Sequence, residues 1–86
     1  MKFLIISFKS RNELYSFARF LKSNNLFVSI INTPKSVGSS CTLSIKTNFS
    51  NLLTIKQLFL RFQAKSFLGI YSVQQTINGE QILKLF

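Results

Sequence analysis

Histidine is absent from this 86-residue chain, and acids nearly so: Glu13 and Glu80 are the only two. Without an imidazole nothing can activate a serine or cysteine nucleophile in the usual way, and two separate glutamates make no acid–base couple. A stand-alone hydrolase is therefore not expected. One cysteine, Cys41, cannot form a disulfide within the chain. With no CxxC and no histidine, a protein-encoded zinc site is not expected either. There is no GxxxxGK[ST] stretch, so nucleotide hydrolysis of the P-loop type has no support. No apolar run approaches the roughly 20 residues of a membrane span. The opening run Phe3–Phe8 stops at Lys9 and Arg11 without a small-residue cleavage site, which argues against a signal peptide. These absences predict a cytoplasmic protein with a free thiol, needing no membrane, metal or cofactor.

What is present is apolar and basic. Hydrophobic residues make up 47% of the chain and charged ones 15%, enough apolar material for one domain over residues 1–86 to fold without a staple. Eleven lysines and arginines give a net charge of +9. Such a charge suits a polyanion such as nucleic acid, or an acidic protein. The basic residues are scattered, however, and AT-rich codon usage, which favours Lys, Asn, Ile and Phe, together with a chance scarcity of acids accounts for the charge more simply than a partner does. Ten phenylalanines raise the question of base stacking on a sheet. The third predicted strand, Thr42–Lys46, carries no aromatic, so most of the phenylalanines are assigned to the core.

Phe3–Phe8 reads as a buried strand. Ser10-Arg11-Asn12-Glu13 fits a capping box, with Ser10 capping the amide three residues on and Glu13 reaching back. Leu14, Phe17, Ala18 and Leu21 then fall on one helical stripe, which ends at Ser23-Asn24-Asn25. Leu26–Ile31 is a second strand. Thr42–Lys46 alternates, predicting a third with one solvated face. A second helix starts near Asn48–Ser50, with Leu52, Ile55, Phe59 and Phe62 as its stripe. Phe67–Val73 is a fourth strand. Asn78-Gly79 predicts a type I′ hairpin into a fifth strand, Gln81–Phe86. The order is that of an α+β, ferredoxin-like βαββαβ domain with an added C-terminal hairpin strand. Strands one and three should be central, two and four outside them, and the fifth beyond the fourth.

In that topology strands one and two run the same way, so Lys9-Ser10-Arg11 and the loop Thr33–Cys41 share one edge. Cys41 would begin strand three beside the amino terminus of helix one, where free amides and the macrodipole favour an anion. Arg11 and Lys35 add positive charge, and cations lower a thiol pKa. Gly38-Ser39-Ser40 could form an anion-binding nest of amides, or simply a flexible hairpin loop. The competing reading of Cys41 is a small, inert residue at a strand start.

The stretch Val28–Cys41, with Thr33-Pro34-Lys35 leading through small residues to Ser39-Ser40-Cys41, resembles the small bacterial family of selenium/sulfur carrier-like proteins. Phe8-Lys9-Ser10-Arg11 is similar to that family's first strand-to-helix turn. The resemblance covers roughly the first 50 residues, and beyond them holds only in pattern. It implies a carrier whose Cys41 accepts sulfur or selenium as a persulfide or selenopersulfide, served by donor and acceptor proteins. Arg11, Lys35 and the loop amides would stabilise its charged forms, while Thr33 and Pro34 fix the loop. Thr42 departs from the glycine that family members commonly carry there, which argues against positive φ at that position.

A binding module for nucleic acid or protein, without chemistry, is the alternative. A homodimer is also expected. Two helices cover one face of such a sheet, which should leave apolar side chains on the other facing water.

Overall fold

The apolar segment Lys2–Phe8 forms strand β1 at the centre of the sheet, in a computed structural model that describes residues 2–33, 43–63 and 65–85. Helix α1, Arg11–Ser23, follows at once. Strands β2 (Val28–Asn32) and β3 (Leu43–Asn48) come next. A 3₁₀ turn at Phe49–Asn51 leads into helix α2, Leu52–Phe62, which closes on a left-handed Gln63 at φ 55°. Strands β4 (Phe67–Thr76) and β5 (Gly79–Lys84) complete the sheet.

The strand order is β2-β3-β1-β4-β5, with every neighbouring pair antiparallel. Strands β1 and β2 each run against β3, so they are parallel to one another. Among the described residues this α+β arrangement of five strands and two α-helices is consistent with the ferredoxin-like class.

Alternation along β1 divides the core. Leu4, Ile6 and Phe8 join Ile45 and Ile70 against the apolar stripes of both helices, Leu14, Phe17, Ala18 and Leu21 with Ile55 and Leu58. Phe17 is the hub, its ring centroid 5.4 Å from that of Phe8 and 4.9 Å from that of Phe62. Such tilted and edge-on pairs add to what burial of each ring already contributes. Most phenylalanines are core, as expected. Among the described residues Phe27 is the exception, 80% exposed.

The face away from the helices differs from expectation. Ile5 and Val73 are fully buried and Phe3 nearly so, with Ile31, Tyr71 and Ile82 packed around them. Gly69 helps: a Cβ there would stand 3.1 Å from both the Tyr71 ring and the Lys84 stem, so its hydrogen lets them lie close. Central position also overturns the solvated face of β3. Ser44 is fully buried, and the Lys46 ammonium lies 4.5 Å from the centre of the Phe3 ring.

The hairpin corrects another expectation. Thr76 pairs with Gly79, so Ile77 and Asn78 form the turn, and only Gly79 takes a positive φ, 119°. A turn with negative φ at its centre followed by a glycine in the left-handed half of the map replaces the type I′ turn.

Candidate functional site

Ser10 caps α1 because its backbone is extended and its Oγ accepts from the Glu13 amide at 3.3 Å. The return arm of the predicted capping box is rewired. The Ser10 amide donates to Ser66 Oγ at 3.1 Å, and Glu13 turns outward to the segment that opens β4. Its carboxylate accepts from the Lys65 amide at 3.0 Å to each oxygen, and from the Ser66 amide and hydroxyl at 2.7 Å each. The Lys9 amide donates to the Ser66 carbonyl at 2.7 Å. The β1–α1 turn is thus clamped to the start of β4.

Burial by itself would raise the Glu13 pKa. The amides of Lys65 and Ser66, the Ser66 hydroxyl and the Lys65 charge outweigh that and hold it below its ordinary value. Around this one carboxylate the edge is basic, with Lys9, Arg11 and Lys65 all exposed.

A second feature of the edge is a run of hydroxyls across three strands. Ser7 Oγ and Ser44 Oγ lie 3.2 Å apart, and Ser44 Oγ lies 2.6 Å from Thr33 Oγ1. Register explains it: Ser7 pairs with Ser44 across β1 and β3, and Ser44 pairs with Ile31 on β2, two residues before Thr33. All three side chains emerge on the face opposite the helices. Ser7 and Ser44 are fully buried, so the Ser7 hydroxyl relies on Ser44, which also reaches Thr33.

Ser10, Arg11 and Thr33 therefore lie at one edge, where β1 and β2 end and β3 and β4 begin. They do not form one cluster. Two strand spacings, about 10 Å, separate the ends of β1 and β2. Ser10 is tied to Ser66, and Thr33 to Ser44. Pro34, Lys35, Gly38, Ser39, Ser40 and Cys41 lie outside the described residues.

Sequence reasoning missed Ser7, Ser44 and Ser66. A serine interrupting the apolar run of β1 was the available signal for Ser7, and the alternation Leu43-Ser44-Ile45 for its partner. Nothing local marks Ser66, which lies 53 residues from Glu13.

A family model described as "Putative Se/S carrier protein-like" matches residues 3–72. The chain belongs to this family. No curated protein and no solved structure matches it. The matched span takes in β1 from Phe3, both helices, β2, β3, most of β4 and the whole Thr33–Cys41 segment, but not β5.

Proposed function

We propose that the chain is a carrier of sulfur or selenium, built as a single ferredoxin-like domain over residues 1–86 and acting through Cys41. Membership of the Se/S carrier-like family over a span that includes Cys41 is the observation that supports this most. The common edge of β1 and β2 supports it as well, because Ser10 and Arg11 stand at the end of one strand and Thr33 at the end of the other.

In the proposed step the Cys41 thiolate attacks the terminal sulfur of a donor protein's persulfide. The donor S–S bond breaks, the donor leaves as a thiolate, and Cys41 becomes the persulfide. One sulfur atom moves with no net oxidation. An acceptor nucleophile repeats the exchange. Arg11, Lys35 and the amides of Gly38, Ser39 and Ser40 would stabilise the anionic sulfur, and Pro34 would limit the loop. Thr33 would fix its stem through Ser44. This is the work of a carrier rather than a stand-alone catalyst, and a reducing cytoplasm would keep the thiol free. No helix among the described residues is long and apolar enough to cross a membrane.

The test treats the protein with a low-molecular-weight persulfide and measures intact mass. Gain of one sulfur, lost on reduction and absent from Cys41→Ser, is expected. A folded protein that gains none would overturn the proposal.

Assembly as a homodimer belongs to the same proposal, with the half-buried Tyr71 and Ile82 as the surface a second copy would cover.

A further inference from the structure

Of the two sheet edges, β5 carries Glu80 and Lys84, while β2 carries no charge at all. From Leu26 to Thr33 there is neither a charged residue nor a proline, the usual means by which an edge strand is kept from pairing. Phe27, Ser29, Ile30 and Asn32 are exposed along it. On the face away from the helices, Phe27, Ser29 and Ile31 border a groove of about 340 Å³ that continues to Phe3, Lys46 and Lys2. Small Ser29 sits directly opposite Lys46 in the register, between the larger Phe27 and Ile31. The floor of the groove is thus apolar, dipping at Ser29, with an ammonium behind the dip.

Charge selects the occupant. The ammonium groups of Lys46 and Lys2 lie over the rings of Phe3 and Phe49, 4.5 and 3.9 Å from the centroids, rather than against a carboxylate. A second copy of this chain would bring another +9 and only two acids, one of them already held by Lys65 and Ser66. An acidic partner brings what the groove lacks.

We infer that β2 is a docking strand for an extended segment of an acidic partner protein, added antiparallel or parallel to the sheet edge. Backbone hydrogen bonds to alternate residues of β2 supply adhesion, and side chains on one face supply selection. Residues of a strand that share a face recur every second position. The segment therefore reads apolar-x-acidic-x-apolar: its two apolar side chains pack on Phe27 and Ile31, and its carboxylate crosses Ser29 to Lys46. This holds whether or not Cys41 carries sulfur or selenium.

The test is a titration of isotope-labelled protein, followed by amide NMR shifts, with the capped peptide Val-Thr-Glu-Thr-Val-Thr. Expected are saturable shifts at residues 28–32 and at Lys46. Lys46→Glu should weaken binding by about tenfold, the size of effect for reversing one charge in a partly desolvated pair. N-methylation of alternate peptide amides, which keeps composition and charge, should abolish it. The inference is overturned by any of four results: no binding at millimolar peptide, equal binding of the N-methylated peptide, equal binding by Lys46→Glu, or shifts confined to residues 79–84. Hexanoate giving the same shifts would also overturn it, since the groove would then be a small-molecule site.

Discussion

Replacing Glu13 with glutamine tests the clamp at the candidate site's edge. The carboxylate accepts from the Lys65 amide with both oxygens and from the Ser66 amide and hydroxyl with one, at 2.7–3.0 Å. Glutamine keeps the shape and one acceptor oxygen but loses the charge, and its NH₂ would face donors. Hydrogen bonds to a charged group contribute about 1.5–3 kcal/mol each when buried. Glu13 is only half-buried and the amide oxygen retains part of the set, so solvent screening cuts the sum sharply. A net loss of about 1.5 kcal/mol follows, or roughly 6–12 °C in Tm for a domain of this size.

The pH dependence carries the sharper test. Desolvation alone would raise the folded pKa, but the amides of Lys65 and Ser66, the Ser66 hydroxyl and the Lys65 charge together outweigh it and leave the pKa lowered. A carboxylate of this kind contributes its full stability above the unfolded value of ~4.3, and loses it as pH falls through the lowered folded value. The gap between wild type and Glu13→Gln in thermal melts should thus be constant near neutrality and close in acid. A gap that persists unchanged into strong acid, or no gap at pH 7, would refute the clamp.

Ser44→Ala should cost about 1–3 kcal/mol in urea unfolding, because buried Ser7 loses its partner, and adding Ser7→Ala should cost less than a second such amount. Phe17→Ala should cost about 3–5 kcal/mol, since Phe17 packs on both helices and β1, and loss of cooperative unfolding would show it. Alkylation of Cys41 followed against pH should give an apparent pKa below the ~8.5 of a free cysteine, and an inert thiol in the folded protein would sink the carrier proposal. Oligonucleotide binding should be weak and fall steeply with salt, whereas tight sequence-selective binding at high salt would favour the nucleic-acid reading. Light scattering at micromolar concentration should show a dimer, and a concentration-independent monomer would remove that part of the proposal.

What could be read from the sequence was what short-range physics writes there. Leu14, Phe17, Ala18 and Leu21 recur at helical spacing because one side of α1 must meet the sheet, and all four are buried. Ser10 is a cap because an extended serine can reach an amide three residues on. Strand order was also legible, through the handedness of connections rather than any one residue. Long-range pairing was not. Glu13 obeyed the capping-box pattern yet took the amides of Lys65 and Ser66, since a second chain segment offered more donors than Ser10 alone could. Ser44 looked solvated because alternation reports two faces without saying what covers each. The hairpin shifted by one residue because Asn-Gly fits more than one turn, and the β4–β5 register put Gly79 within the strand instead of at the turn's centre. Ser10, Arg11 and Thr33 came to one edge as strand direction required, but Ser10 is bonded to Ser66 and Thr33 to Ser44, partners chosen by long-range pairing. The polar support at this edge therefore comes from the Ser7 and Ser44 hydroxyls of β1 and β3 and from Lys65 and Ser66 ahead of β4, and Ser44 is the residue that joins Thr33 to the sheet's centre.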